Sequence, residues 1–494
     1  MRRVLIANRG EIAVRIIRAC RELGIRTTAV YSDADADAPH VQLADDAIAI
    51  GPAPAAHSYL RVEALLDAAK RTGADAVHPG YGFLSENARF AAACVDAGLT
   101  FIGPSARVIE TMGSKTAARA AVSAAGVPVV PGETPASQEP SVVAAAMARV
   151  GFPVLLKATA GGGGKGMRIV RSADEAEEAI GAASREALRS FADGSVYVER
   201  LIERPRHIEV QVMADRHGNV VHLFERDCTL QRRHQKVIEE APGPTVTAAV
   251  RERMTRAAVA AAQAVGYENA GTIEFLLAGD EFYFLEMNTR LQVEHPITEE
   301  VTGVDLVRTQ LLVAAGEHLP FRQDDLTLRG HAIECRVYAE DPDTGFLPQT
   351  GPLLRYREPQ GPGIRVDAGV REGQAITVHY DPMIAKLVTS AATRDAAVQR
   401  TLRALGDFEV LGLRHNIPFL RALLQDPRVI ACDTHTRFIE EHLDAFTGPL
   451  PDDLLYAMAA AAAVGPATGA VATAGTGDTA PARDPFATMG KVVF

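Results

Sequence analysis

The sequence predicts an α/β fold, on three observations. Short apolar runs alternate with amphipathic helical stretches over the first hundred residues, a glycine run joins two apolar stretches near residue 160, and a strand pair near residue 280 leads into a cluster of acids and amides. At 494 residues the chain has room for roughly three domains.

Val4 to Ala7 is a short apolar strand. Glu11 to Leu23 follows as a helix, with Ile12, Ile16, Ala19 and Leu23 on one face and Gly24 closing it. Thr27 to Tyr31 is the next strand. Helical Tyr59 to Arg71, the strand Ala74 to His78, helical Glu86 to Ala97 and the strand Thr100 to Ile102 continue the alternation of a parallel sheet covered by helices. The first domain is therefore Rossmann-like. After its first strand it carries Asn8-Arg9-Gly10-Glu11 instead of Gly-x-Gly-x-x-Gly, which argues against a dinucleotide site. The loop His78 to Asn87 lies at a strand's carboxyl end, where open α/β sheets hold ligands; the same residues also make a well-formed turn.

A smaller unit begins near Val130. Its strands Phe152 to Ala158 and Met167 to Val170 are joined by Gly161-Gly-Gly-Gly-Lys-Gly166. Successive glycines leave backbone N–H groups free to wrap a phosphate, and Lys157 and Lys165 add positive charge on either side. A plain flexible hairpin fits the same residues.

The third region, Arg204 to Phe446, holds most polar clusters. His207 opens the alternating strand His-Ile-Glu-Val-Gln-Val, and Arg226 to Lys236 packs five cationic residues into eleven positions, a pattern that also suits a solvated basic loop. Thr272 to Leu277 and Phe282 to Met287 read as a hairpin centred near Asp280. That register sets Glu274 opposite Glu286 and places Glu274, Leu276, Glu286 and Asn288 on one face. Two carboxylates and an amide suit a hard cation shared with phosphate oxygens, as Mg²⁺ is bound; a polar face paired with arginines is the competing reading.

Composition excludes several classes. The 62 acidic against 51 basic residues, net −11, argue against a general nucleic-acid binder. Five scattered cysteines (Cys20, Cys94, Cys228, Cys335 and Cys432) show no zinc spacing and suit a reduced, intracellular protein. The N-terminal residues read as a strand rather than a signal peptide, and no apolar run is long enough for a bilayer, so a cytoplasmic protein with no membrane partner is expected. Val464 to Arg483, dominated by Ala, Gly, Thr and Pro, reads as a linker.

Four stretches, Gly161 to Met167, Gln231 to Lys236, Glu286-Met-Asn-Thr-Arg-Leu-Gln-Val-Glu-His295 and Glu334-Cys-Arg336, together resemble the motifs of biotin carboxylases, which are ATP-grasp enzymes. The resemblance runs from residue 2 to about 446. It implies an N-terminal Rossmann-like domain (1–114), an ATP-grasp part with a mobile glycine-rich lid (115–203, the lid from about 130), the remaining ATP-grasp part with a biotin carboxylase C-terminal domain (204–446), and a helix, linker and tail (447–494). The implied reaction has two steps: bicarbonate attacks the γ-phosphate of ATP to give carboxyphosphate, and the carboxyl group then passes to N1′ of biotin.

Matched position by position, the resemblance also implies a site. Lys115 and Lys157 match nucleotide lysines, with Gly163 and Gly164 on the phosphates; Glu199, Arg200, Leu201, Ile202, His207, Gln231, His234 and Leu276 match the nucleoside pocket. Glu274, Glu286 and Asn288 match ligands of Mg²⁺ or Mn²⁺, expected as two ions. Lys236, Arg290, Gln292, the Val293 backbone and Glu294 match the bicarbonate site, with Glu294 as general base. Arg336 matches the cation that stabilises the biotin enolate, and Asp381 lies near the ureido group. Arg200 stands where many relatives have lysine, Lys165 replaces an arginine, and at the family's homodimer surface Arg18, Glu22 and Arg365 match while Pro362 replaces a phenylalanine.

The expected activity is that of the biotin carboxylase component of an acyl-CoA or pyruvate carboxylase, working with a carboxyltransferase subunit. No Met-Lys dipeptide occurs among the 494 residues, so biotin is expected in trans on a carrier protein or domain. Two rivals are another ATP-grasp ligase of the carbamoyl-phosphate type, opposed by Arg336 with Lys236, Arg290 and Glu294, and a non-catalytic ATP-binding scaffold, opposed by retention of Glu294 and both metal carboxylates.

Overall fold

The computed structural model describes residues 1–159, 167–191 and 193–446. The glycine run with Gly163, Gly164 and Lys165, and the expected helix, linker and tail of 447–494, lie outside the described residues.

The N-terminal sheet has five parallel strands, β1 (Arg3–Ile6), β2 (Arg26–Ser32), β3 (Asp46–Gly51), β4 (Ala76–His78) and β5 (Thr100–Phe101), in the order β3-β2-β1-β4-β5. Val4, Leu5 and Ile6 are wholly buried because helices cover both faces, which is why this strand is a continuous apolar run. The helix Gly10–Glu22 turns Ile12, Ile16, Ile17 and Ala19 into that core. Two details differ from expectation. Strand β3 was not anticipated, since Asp-Ala-Ile-Ala-Ile-Gly at a sheet edge carries little apolar bulk. The helix expected from Tyr59 begins at Val62, and Tyr59 instead lies buried with its hydroxyl donating to Asp35 Oδ2 at 2.6 Å.

Next come four antiparallel strands, β6 (Gly132–Glu133), β7 (Val154–Ala158), β8 (Met167–Val170) and β9 (Val196–Arg200), ordered β6-β9-β7-β8. The helices Pro140–Val150 and Ala176–Phe191 cover them, burying Val143, Met147, Val154, Leu156, Ile180 and Val198 together.

The largest element is an antiparallel sheet of eight strands: β10 (Arg206–Ala214), β11 (Val220–Arg232), β12 (Gln235–Ala241), β13 (Asn269–Ala278), β14 (Glu281–Asn288), β15 (His331–Tyr338) and the strands Ile364–Ala368 and Met383–Ala391. It runs β14-β13-β10-β11-β12-β15, then Met383–Ala391, then Ile364–Ala368. One face of β10 is apolar, with Ile208, Val210 and Val212 packing into a core with Met254, Ile273 and Phe275. The other face, carrying His207, Glu209 and Gln211, is just as buried.

Arg226 to Lys236 is therefore not a solvated loop. It forms the end of β11, a turn at Arg233 and His234 (φ 49° and 65°), and the start of β12. Three of its cations are taken in because acids distant in sequence face them: Arg226 meets Glu209, Arg232 meets Glu340 at 2.9 Å, and Lys236 meets three carboxylates, while Arg233 and His234 at the turn are exposed. C-terminal helices Arg394–Asp407 and Ile417–Gln425 close a further core around Ile333, Leu387, Phe419 and Leu423. Gly369, after the strand Ile364–Ala368, sits so close to the backbone of Gly10 and Glu11 that a β-carbon would collide with it, so the first and last thirds meet backbone to backbone. Among the described residues, no helix is long and apolar enough to cross a membrane.

Candidate active site

The polar face of the large sheet forms one wall of a cleft of about 1060 Å³. Strand register builds the site. Glu286 on β14 faces Glu274 on β13, Glu274 faces Glu209 on β10, and Glu209 faces Arg226 on β11, so a row of three acids and one guanidinium crosses four strands. The Glu274–Glu286 pairing is the one expected from the hairpin, with a bulge after Glu274.

Glu274 Oε1 accepts from Lys236 Nζ (2.8 Å), Asn288 Nδ2 (2.9 Å) and Gln292 Nε2 (3.1 Å), and its Oε2 lies 3.2 Å from His207 Nε2. Burial alone would raise its pKa, but Lys236 and His207 together hold it well below the ordinary carboxylate range. Glu286 keeps contact with the cleft, and among the described residues no cation pairs with it. Its carboxyl is pushed up by burial and then by the charge of Glu274. Two crowded carboxylates with an amide beside them are a donor set that an oxygen-seeking divalent cation fits.

At the base of the cleft, Lys236 Nζ lies 2.6 Å from Glu209, 2.8 Å from Glu274 and 2.6 Å from Glu294. Burial works against the ammonium, yet the three carboxylates hold its pKa well above normal. Glu294 precedes the helix His295–Thr302 and is wholly buried. Its second oxygen accepts from Arg336 Nη2 at 3.0 Å, and Arg336 Nε donates to Glu239 at 2.6 Å. Burial would raise the Glu294 pKa; Lys236, Arg336 and Arg226 overcome it and keep it well below normal. Arg290 is aimed by Glu86 (2.9 Å), Gln292 (3.1 Å) and Asn288 (3.1 Å). The Val293 carbonyl accepts from Lys386 Nζ at 2.8 Å, and Asp381 accepts from the Met383 N–H at 2.9 Å.

Toward the smaller sheet, Glu199 is held by Lys157 and, at 3.0 Å, by Arg119. Lys115 opens the helix Lys115–Ala124, where burial and then the neighbouring Lys157 disfavour its charge. Lys115, Lys157, Glu199, His207, Gln231, His234, Lys236, Glu274, Glu286, Asn288, Arg290, Gln292, Val293, Arg336 and Asp381 all line the one cleft. Glu294 lies beneath its floor, and Arg200, Leu201, Ile202 and Leu276 stand outside its lining, the Arg200 N–H donating to Pro131 and the Leu201 N–H to Pro153.

Four residues outside the set read from the sequence orient this site. Glu209 shares the face of His207 two positions along the same strand, so the alternation already pointed to it. Glu86 lies in the His78–Asn87 loop, which was singled out without assigning that side chain. Arg119 and Glu239 left no local signal, because their partners, Glu199 and Arg336, are far along the chain.

Three family profiles match: "Biotin carboxylase, N-terminal domain" over residues 1–109, "Carbamoyl-phosphate synthase L chain, ATP binding domain" over 114–322, and "Biotin carboxylase C-terminal domain" over 334–441. The chain is 54% identical to a biotin carboxylase of Halalkalibacterium halodurans, covering 91% of this chain and 100% of that one. The chain belongs to the biotin carboxylase family. Other biotin carboxylase sequences form parts of longer proteins: the mitochondrial methylcrotonoyl-CoA carboxylase subunit alpha of Glycine max is 53% identical over 89% of this chain, which spans 60% of that protein's length. Among solved structures, the biotin carboxylase domain dimer of Hydrogenobacter thermophilus 2-oxoglutarate carboxylase, in complex with MgADP, ADP and bicarbonate, superposes with a TM-score of 0.85 at 45% identity, covering 91% of this chain and 99% of that one. The ATP-grasp fold expected for a biotin carboxylase is thus the fold observed.

Proposed function

We propose that this chain uses ATP and bicarbonate to carboxylate biotin presented by a carrier protein or domain, the first half-reaction of a biotin-dependent carboxylase. The observation that carries the reading is Glu294, buried and ion-paired to both Lys236 and Arg336 under a cleft that also holds Glu274, Glu286 and Asn288. A nucleotide scaffold has no use for such a group. A carbamoyl-phosphate-type ligase has no use for a guanidinium fixed beside it.

The residue roles are those the family resemblance implies, and charge and place support most of them. Lys115, Lys157, Glu199, His207, Gln231 and His234 contact the nucleotide, with Arg200, Leu201, Ile202 and Leu276 nearer its base; the resemblance gives its phosphates to Gly163 and Gly164, which lie outside the described residues. A divalent cation held by Glu274, Glu286 and Asn288 neutralises phosphate charge that would repel an anionic nucleophile. Arg290, with its planar fork, and Lys236 hold bicarbonate, oriented further by Gln292 and the Val293 backbone. Glu294 is ionised throughout the neutral range and is therefore always ready to accept a proton. Its low proton affinity means that the cations around bicarbonate must make that proton more acidic. Arg336 faces the oxygen that gains charge as biotin N1′ is deprotonated, and Asp381 lies beside it.

We assign 1–114, 115–203, 204–446 and 447–494 as the chain's divisions. Association into a homodimer through Arg18, Glu22 and Arg365, a carboxyltransferase partner and a cytoplasmic setting complete the proposal; five unpaired cysteines suit a reducing compartment. The test is phosphate release from ATP with and without bicarbonate, each with and without biotin. Release that ignores both additions rejects the reading.

A further inference from the structure

We infer that Glu239 and Glu334 hold one proton between them beneath the cleft, and that Glu334, by keeping it, leaves Glu239 anionic to aim Arg336. Glu334 is then a positioning residue for carboxyl transfer. The inference rests on the role of Arg336 proposed above.

The geometry begins with register. Glu239 on β12 stands directly opposite Glu334 on β15, and both are wholly buried. Directly opposed side chains on antiparallel strands start only about 5 Å apart, and like charges there repel. Glu239 Oε1 takes the Arg336 Nε hydrogen bond at 2.6 Å. Its other oxygen and both oxygens of Glu334 are buried without a hydrogen-bond partner among the described residues. An ionised carboxylate does not persist in that condition; a neutral acid costs far less.

Nearby cations are committed elsewhere. Arg336, two residues along from Glu334, is divided between Glu239 and Glu294. Lys236, on the Glu239 strand, serves Glu209, Glu274 and Glu294. Lys386, from the strand Met383–Ala391, pairs with Glu11 at 3.0 Å and donates to the Val293 carbonyl. From the helix packed over these strands, His295 is kept neutral by burial and then by Lys386, while Glu299 is taken up by Arg15 and Arg365. The thiols of Cys228 and Cys335 are held neutral by burial. Burial likewise pushes the Glu239 carboxyl up to about 7 against the pull of Arg336, and Glu334 well above the usual range against Lys386 and Arg336, neither of which bonds to it. The proton therefore resides on Glu334, and its loss at alkaline pH puts a second anion beside Glu239 and draws Arg336 back from the cleft.

The test compares the pH profile of biotin carboxylation in the parent and Glu334→Gln, together with infrared spectra of chains carrying ¹³C-labelled glutamate. The parent should show the carbonyl band of a protonated carboxylic acid at neutral pH and an alkaline limb in kcat. Glu334→Gln should remove one residue's share of that band and move the limb up by about one pH unit or more. Glu239→Gln should lower kcat for carboxylation by ~10²-fold, the scale of a misplaced group, while KM for ATP moves less than about twofold. A parent without the band, a band whose amplitude Glu334→Gln leaves unchanged, or an unmoved alkaline limb overturns the inference. A variant that does not fold leaves the parent's band to decide. A parent chain that hydrolyses ATP yet carboxylates nothing at any pH rejects the reading of Arg336 instead, and the band still decides whether the proton is shared.

Discussion

Glu294 touches Lys236 on one oxygen and Arg336 on the other, so its replacement changes charge more than shape. Glu294→Gln keeps the volume, and both cations retain other acids: Lys236 keeps Glu209 and Glu274, and Arg336 keeps Glu239. The variant should fold and bind nucleotide, as a fluorescent-nucleotide titration would measure, but release no phosphate in response to bicarbonate. Bicarbonate-stimulated turnover at the parental rate would remove Glu294 from the chemistry. Arg336→Ala should spare ATP binding and slow carboxybiotin formation by ~10²-fold or more, the usual scale for losing one oxyanion-type stabiliser. Comparing the two variants separates the half-reactions, because the proposed roles put Glu294 on bicarbonate and Arg336 on biotin.

One level up, Glu240 joins secondary-structure elements away from the cleft. It lies on β12, accepts from Arg394 at 2.7 and 2.9 Å at the start of the helix Arg394–Asp407, and meets His331 of β15 at 2.8 Å. Burial would raise its pKa, but Arg394 and His331 bring it down to about 2. A depressed carboxyl contributes stability that is fully present above its unfolded value and is lost as pH falls through the folded one. Glu240→Gln should therefore destabilise the chain by ~3 kcal/mol or more at neutral pH, since Arg394 is left without its anion. The difference from the parent should narrow as pH drops toward 2, as urea melts across pH would show; a constant difference would mean that shape, not charge, is what Glu240 supplies. The same strands show what the sequence could disclose. The β13–β14 register was legible because Ala-Gly-Asp-Glu marks the turn and side chains alternate from it. The burial of Arg226, Arg232 and Lys236 was not, because a charge run is normally solvated, and only long-range pairing brings Glu209, Glu274, Glu294 and Glu340 to them. Most of the residue roles became readable through the family resemblance rather than through local pattern.

For the whole molecule, the wide cleft, lined from Asn8 in the N-terminal domain to Met383, suits a substrate delivered on another folded domain. Free biotin should be carboxylated slowly and a biotinylated carrier domain much faster, since tethering raises its concentration at the cleft. Equal rates at equal concentrations would place carrier recognition outside this chain. The eight-stranded sheet imposes a further condition. From β13 to β15 there are four strand spacings, roughly 19 Å on a flat sheet. Yet Glu274, Lys236, Glu294 and Arg336 touch in sequence across that span. They do so because Lys236 and Arg336 carry long side chains and Glu294, which lies off the sheet just before the helix His295–Thr302, joins them; register irregularities at Val210–Val212, Asp227–Leu230–Gln231 and Glu274–Phe275 set where side chains on those strands start. Removing one bulge by a single-residue deletion would turn the side chains beyond it to the other face, so every residue type of the proposed site would remain in the sequence while the line of contacts from Glu274 to Arg336 is broken.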